Sequence, residues 1–153
     1  MNFPDIRTLV PHAGPMVLLD RVLAADDDSL RAEVTIHADT LFCDGSGVGT
    51  WIGIEYMAQA IAAHAGVAAL REGGAVKVGF LLGARRYECS RPLFALGSVL
   101  QVFVVRTLQG DNGLGAFECR IEIDGVVAAH ATITVFQPDN VQDFIGGLSG
   151  GAV

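Results

Sequence analysis

One stretch of the chain decides the fold, because it is a long apolar helix with a single acidic residue: Gly49-Thr50-Trp51-Ile52-Gly53-Ile54-Glu55-Tyr56-Met57-Ala58-Gln59-Ala60-Ile61-Ala62-Ala63-His64-Ala65-Gly66. A helix that is apolar on every side must be buried on every side. Burying a carboxylate without partners costs several kcal/mol or forces the group to hold a proton. Glu55 is therefore the residue of this helix that most needs a functional explanation.

Two other polar residues on the helix have different relations to Glu55. Gln59 lies one turn further on, so its amide can hydrogen-bond either the Glu55 carboxylate or a ligand. His64 follows Glu55 by nine residues, which at about 100° per residue places it on the opposite face of the helix. We therefore expect Gln59, but not His64, to share a site with Glu55.

Composition limits the class of protein. The 153 residues are 51% hydrophobic and carry a net charge of -7, which predicts one globular domain and argues against nucleic acid as a partner. We expect this domain to cover residues 1–140, followed by a flexible Gly-rich tail over residues 141–153. The three cysteines are widely spaced and follow no secretory leader, which predicts a cytoplasmic protein with reduced thiols, no metal site and no cofactor. Because Glu55 interrupts the longest apolar run, no membrane span is expected.

The rest of the chain reads as strands around that helix. Two strands are predicted before it, Met16 to Ala24 and Ser29 to His37, joined by an acidic turn. Four more follow it: Val76 to Cys89, Ser98 to Leu108, Gly115 to Asp124 and Val126 to Gln137. The Asp-Asn-Gly and Asp-Gly turns between the last three predict antiparallel pairing. The expected fold is α+β, the hotdog fold, with an antiparallel sheet of about six strands wrapped around one long central helix.

Two segments carry a resemblance to a known family: Pro11-His12-Ala13-Gly14-Pro15-Met16-Val17-Leu18-Leu19-Asp20-Arg21-Val22 and Ile54-Glu55-Tyr56-Met57-Ala58-Gln59-Ala60. In this order they resemble the β-hydroxyacyl-acyl carrier protein dehydratases, and the similarity runs from about Leu9 to Phe136. The helix sequence, together with Gly79-Phe80-Leu81-Leu82-Gly83-Ala84-Arg85-Arg86-Tyr87, is similar to the dehydratases of aryl-polyene lipid pathways. The resemblance implies a lyase that acts on 3-hydroxyacyl thioesters in fatty-acid-like or polyene lipid biosynthesis.

The resemblance also implies two catalytic groups, a histidine on the loop before the helix and an acid on the helix, brought together from two protomers. Glu55 matches the acid. The family spacing places the histidine at Leu41, and residues 41–49 contain no histidine. We expect His12 to be the second catalytic residue, because its proline-flanked segment resembles the family. His37 and His130 are alternatives, and Cys43 and Asp44 lie in the loop itself.

Several residues are predicted to bind the substrate or its carrier. Glycines before the helix leave the backbone free to approach a ligand, and the first helical N–H groups can face a thioester oxygen. The predicted substrate-binding residues are Gly47, Gly49, Thr50, Gln59, Gly79 and Phe80. Four basic residues cluster on an acidic chain and suit an acyl carrier protein or the phosphates of coenzyme A: Lys77, Arg85, Arg86 and Arg91.

Three functional classes remain open at this point. The first is a homodimeric or larger dehydratase with Glu55 as its acid or base. The second is an acyl thioesterase, since related hotdog hydrolases direct water with one helix carboxylate and need no loop histidine. The third is a hotdog subunit that binds acyl chains without catalysis, or that contributes Glu55 to a mixed dimer whose partner brings the histidine.

Overall fold

A computed structural model describes residues 3–11, 14–73 and 80–136, with side chains throughout except at residues 80–82. The strands and the helix follow in chain order: β1 (Arg21–Ala25), β2 (Ser29–Thr35), β3 (Gly47–Gly49), α1 (Gly53–Arg71), β4 (Phe80–Cys89), β5 (Leu93–Ala95), β6 (Val99–Gln109), β7 (Leu114–Ile123) and β8 (Val126–Phe136). Short 3-10 turns cover Ile6–Thr8, Gly14–Met16 and Thr50–Ile52.

Six strands form one antiparallel sheet in the order β1-β2-β6-β7-β8-β4, and β3 pairs with β5 in a separate two-stranded sheet. The helix α1 contacts all six strands of the large sheet. The predicted α+β layout, one long helix held by six antiparallel strands, is confirmed. The predicted antiparallel pairing of β6 with β7 and of β7 with β8 is confirmed as well.

The core forms where the inner face of the sheet meets α1. Strand β2 alternates buried and partly exposed side chains along its whole length, as a strand with one solvated face must. Small alanines let the helix and the sheet approach closely, since Ala60 and Ala63 are fully buried. At Gly66 even a methyl group would not fit, because a Cβ there would lie 2.2 Å from the Leu9 carbonyl oxygen. The N-terminal turn thus packs directly on the helix backbone.

The structure departs from the sequence expectations at several element ends. The strand expected from Met16 begins only at Arg21, because the backbone of residues 16–18 bonds to a helix side chain instead of a neighbouring strand. Residues 50–52 form a 3-10 turn ahead of the α-helix. The β3 and β5 pair was missed, since three-residue strands beside glycines carry no periodicity. The tail at 141–153 and the first residues of the strand expected from Val76 lie outside the described residues.

His64 holds the acidic turn between β1 and β2 against the helix. Its ring is buried, and Nε2 lies 3.2 Å from the Asp26 carbonyl oxygen and 3.0 Å from that of Asp27. Two carbonyl acceptors require a proton on this nitrogen, so Nε2 is the donor. Burial, with a smaller effect from Arg106, lowers the pKa of His64 below 6.5, although the two carbonyls and Asp26 oppose this shift.

The lowered pKa of His64 predicts that acid weakens the fold. As the pH falls below 6.5, the unfolded chain takes up a proton that the folded chain resists, so the free energy of unfolding decreases. We expect denaturant titrations to show this loss between about pH 7.5 and about pH 5.5, which lie on either side of the ordinary histidine pKa. The control is His64→Gln, which keeps an N–H donor but does not titrate. Equal pH dependence in both proteins would contradict the prediction.

Candidate active site

Glu55 lies in the first turn of α1, and it is half-buried. A negative charge is favoured there, because the unpaired N–H groups of a helix start give it a partial positive charge. One carboxylate oxygen, Oε1, accepts a hydrogen bond of 3.0 Å from Nε2 of Gln59. The expected pairing of these two residues at one turn of spacing is therefore present.

Gln59 is fully buried, and each part of its amide has a partner in the chain. Besides the bond to Glu55, Nε2 donates to the Met16 carbonyl oxygen at 2.7 Å, and Oε1 accepts from the Leu18 backbone N–H at 2.9 Å. Both amide hydrogens are thus engaged. The contacts that the structure describes for Gln59 are to its own chain, whereas a contact with substrate remains a prediction.

Two aromatic side chains lie exposed beside the start of the helix. The Trp51 side chain is 67% exposed, and its ring centroid lies 5.8 Å from that of Phe42, which is 46% exposed. Phe42 has a φ of 71°, a left-handed conformation that is unusual for an aromatic residue. Sequence reasoning missed this pair, because neither residue belongs to a motif. It places a large apolar surface one helical turn before Glu55.

Contacts with β4 and with the segment after it fix the start of the helix. The Thr50 N–H and hydroxyl both donate to the Pro92 carbonyl oxygen, at 3.3 and 3.4 Å, and the Tyr87 hydroxyl donates to the Thr50 carbonyl. Burial raises the pKa of Tyr87, which keeps its hydroxyl a donor. A Cβ at Gly53 would collide with that hydroxyl. Thr50, predicted to bind substrate, is thus used to anchor the helix.

Packing within the chain explains Gly47 and Gly49, two of the glycines before the helix. A Cβ at Gly47 would lie 2.3 Å from the Phe94 carbonyl oxygen, and one at Gly49 would lie 2.5 Å from the Trp51 indole nitrogen. The space that a side chain would need at these two positions is occupied by β5 and by Trp51. Substrate binding by Gly47 and Gly49 remains a prediction.

The loop from residue 41 to residue 49 contains a tight turn in place of the family histidine. The Asp44 carboxylate accepts hydrogen bonds from the Ser46 N–H and hydroxyl and from the Gly47 N–H, and these bonds, led by that from the Ser46 N–H, lower the pKa of Asp44. Its structural use is therefore the turn. Cys43 forms an isolated bridge to Val48 in the same loop.

The histidines that the structure describes are spread over different parts of the fold. His130 lies on the outward face of β8, between buried Ala129 and Ala131, and its Nε2 is 3.2 Å from Glu88. This placement turns it away from the helix. His37 is exposed just after β2, and His64 lies on the far side of the helix, as expected. His12, the expected second catalytic residue, lies outside the described residues.

Two of the predicted carrier-binding residues lie on the edge strand of the sheet. Arg85 and Arg86 are exposed on β4, which ends the strand order, and Arg91 is half-buried in the turn that follows. The pairing of β4 with β8 is interrupted between Arg85 and Glu88, and Arg86 has a φ of 56°. Lys77 and Gly79 lie outside the described residues, and only the backbone of Phe80 is described.

The described residues contain neither a metal-binding cluster nor a helix suited to span a membrane. Within residues 3–11, 14–73 and 80–136, no three acidic, histidine or cysteine side chains gather as they would around a metal ion. Over the same part of the chain, no helix combines the length and the apolar character needed to cross a membrane.

Comparison with known proteins places this site in a family. The family described as ApeP-like, ApeP dehydratase, matches residues 4–146. A chain of the dehydratase heterocomplex ApeI:P from Xenorhabdus doucetiae is 32% identical, with a TM-score of 0.84 over 92% of this chain and 95% of that chain. The 3-hydroxyacyl-acyl-carrier-protein dehydratase FabZ of Streptococcus equi subsp. zooepidemicus is 29% identical over 137 residues, 88% of this chain and 96% of the relative.

A more distant likeness supports the fold alone. A hypothetical thioesterase with coenzyme A from Streptococcus pneumoniae is 15% identical, with a TM-score of 0.59 over 76% of this chain and 84% of that chain. The predicted hotdog architecture and the predicted dehydratase resemblance are both confirmed. The match over residues 4–146 and the similarity to the Xenorhabdus chain show that this chain belongs to the ApeP-like family of dehydratases.

Proposed function

We propose that this chain is the glutamate-bearing subunit of a mixed hotdog dehydratase that removes water from a 3-hydroxyacyl group carried on an acyl carrier protein. The observation that carries the proposal is the half-buried Glu55 at the start of α1, next to a loop without a histidine. A second hotdog subunit supplies that histidine. The FabZ relatives support the substrate class, and the Xenorhabdus heterocomplex supports a mixed assembly.

The elimination needs one base and one acid on a single substrate. The base removes the proton α to the thioester carbonyl, and the electron pair left behind forms the new double bond. The acid protonates the β-hydroxyl, which leaves as water. Glu55 performs one of these transfers and the partner's histidine performs the other. The partial positive charge of the helix start favours the negative charge that develops on the thioester oxygen.

Two exposed features next to the site provide a surface for the second subunit. Strand β4 has a sheet neighbour, β8, on one side only in the described part of the chain, and an open strand edge pairs readily with another strand. The exposed rings of Phe42 and Trp51 lie beside the start of the helix. A subunit that covered both would bring its own loop close to Glu55.

The first test of this proposal is Glu55→Gln in the reconstituted mixed complex, assayed by mass spectrometry on 3-hydroxyacyl-carrier thioesters. The amide keeps the shape and hydrogen bonding of the side chain but cannot transfer a proton, so we expect water loss to slow by about 100-fold or more. The complex should still assemble. Near-normal water loss would remove Glu55 from the mechanism.

The same assay separates the reaction classes. A dehydratase yields an acyl product lighter by one water and still attached to its carrier. A thioesterase instead yields a free carrier and a free acid. Release of the acyl group without loss of water from the wild-type complex would contradict the proposal.

Reversing the charge of Arg85 and Arg86 tests the carrier-binding site. We expect the double variant Arg85→Glu, Arg86→Glu to raise the KM for carrier-bound substrate by about tenfold, because the positive side chains attract an acidic carrier. The KM for a short pantetheine thioester, which has no carrier, should change little. The control is Arg21→Glu, an exposed arginine on β1 at the other edge of the sheet. An equal effect of this control, or loss of the partner subunit, would contradict carrier binding at β4.

A further inference from the structure

The amide of Gln59 connects Glu55 to the segment that precedes β1. Met16 O and Leu18 N, the two groups that it binds, flank Val17, so the side chain pairs with this backbone much as a neighbouring strand would. The second hydrogen on Nε2 reaches Oε1 of Glu55. One fully buried side chain thus joins the helix, the N-terminal segment and the carboxylate.

The neighbours of the amide leave it a single orientation. Its nitrogen faces two acceptors, a carbonyl oxygen and a carboxylate oxygen, while its oxygen faces a backbone N–H donor. Turning the amide over would place oxygen against oxygen at two contacts and nitrogen against an N–H at the third. An unmade hydrogen bond at a buried site is costly, so this arrangement resists rotation. The Glu55 carboxylate therefore has a fixed donor.

A carboxylate that transfers a proton needs such a fixed donor. Glu55 has three rotatable side-chain bonds, and rates fall steeply when a reacting group is misplaced by about 1 Å. The bond to Gln59 restricts the position of Oε1 without using the substrate. Since both hydrogens of the amide are already engaged within the chain, Gln59 is poorly suited to bind a ligand.

We propose that Gln59 is a positioning residue, which acts through Glu55 by fixing its carboxylate to the backbone of residues 16–18. This inference deepens the proposed function and rests on it for the kinetic tests. It replaces the substrate-binding role that the sequence suggested. The N-terminal segment thereby becomes part of the support of the site.

The kinetic test uses Gln59→Met in the complete mixed complex, since methionine keeps the length and apolar volume of the side chain but has no amide. We expect kcat per folded complex to fall by about 10- to 100-fold while KM stays near normal. The control is Val67→Ala, a buried core position further along α1. It should lower stability and leave kcat unchanged. A normal kcat in the folded Gln59→Met complex would overturn the proposal.

A double-mutant cycle separates positioning from an independent role. Glu55→Asp shortens the carboxylate and should take it out of reach of the amide. Adding Gln59→Met to Glu55→Asp should then cost less than about threefold in kcat, because the two residues act as one unit. Losses that multiply in the double variant would show that Gln59 acts by itself, and would overturn the inference.

A crystallographic comparison decides the inference even if the proposed function fails. A wild-type complex that removes no water would disprove the dehydratase proposal, whatever the state of Gln59. In that case the structures of the wild-type and Gln59→Met complexes remain to be compared at Glu55. We expect the variant to show the carboxylate displaced or in several orientations, within an unchanged fold. An unmoved, singly oriented carboxylate would overturn the inference.

Discussion

Burial of α1 on most of its sides is the constraint on which the other features of this fold depend. The helix has apolar residues around its whole circumference, so no single layer can cover it. The sheet meets this need by bending around the helix, and the N-terminal turn covers the backbone at Gly66. Alanines on the helix and alternating aliphatic residues on the strands allow this close contact.

A helix buried in this way leaves its first turn as the place for chemistry. There the partial positive charge of the helix start, the half-buried Glu55 and the exposed rings of Phe42 and Trp51 lie together. Two polar side chains of this region hold it in place: Thr50 contacts Pro92 and Tyr87, and Gln59 binds residues 16–18. A rigid, one-sided site of this kind suits completion by a second subunit.

Much of this organisation could be predicted from the sequence, because it depends on periodicity and turn chemistry. The long helix, the antiparallel strands after it and the opposite placement of His64 and Glu55 follow from spacing alone. Spacing does not reveal which atoms a side chain binds. Thr50, Gly47 and Gly49 were predicted to bind substrate, and the structure adds contacts within the chain, to Pro92, Phe94 and Trp51, that spacing could not reveal. The Phe42 and Trp51 pair left no sequence signal at all.

The absent loop histidine links the sequence to the proposed assembly. Within residues 41–49 the backbone forms an Asp44 turn and a small sheet with β5, and the loop contains no histidine. Dehydration then requires a second proton-transfer group from outside this loop. The exposed surfaces beside Glu55 are available to a subunit that would bring it. The proposed chemistry therefore depends on the proposed assembly.

A crystal structure of the mixed complex with a bound 3-hydroxyacyl analogue tests this most directly. The measurement is the distance from each partner histidine nitrogen, and from the Glu55 carboxylate, to the α carbon and β-hydroxyl of the analogue. We expect one partner histidine and Glu55 to contact the same analogue, each lying within about 3.5 Å of its α carbon or β-hydroxyl or reaching it through one water. A complex in which no partner histidine approaches the analogue, or in which Glu55 faces away from it, would contradict the account.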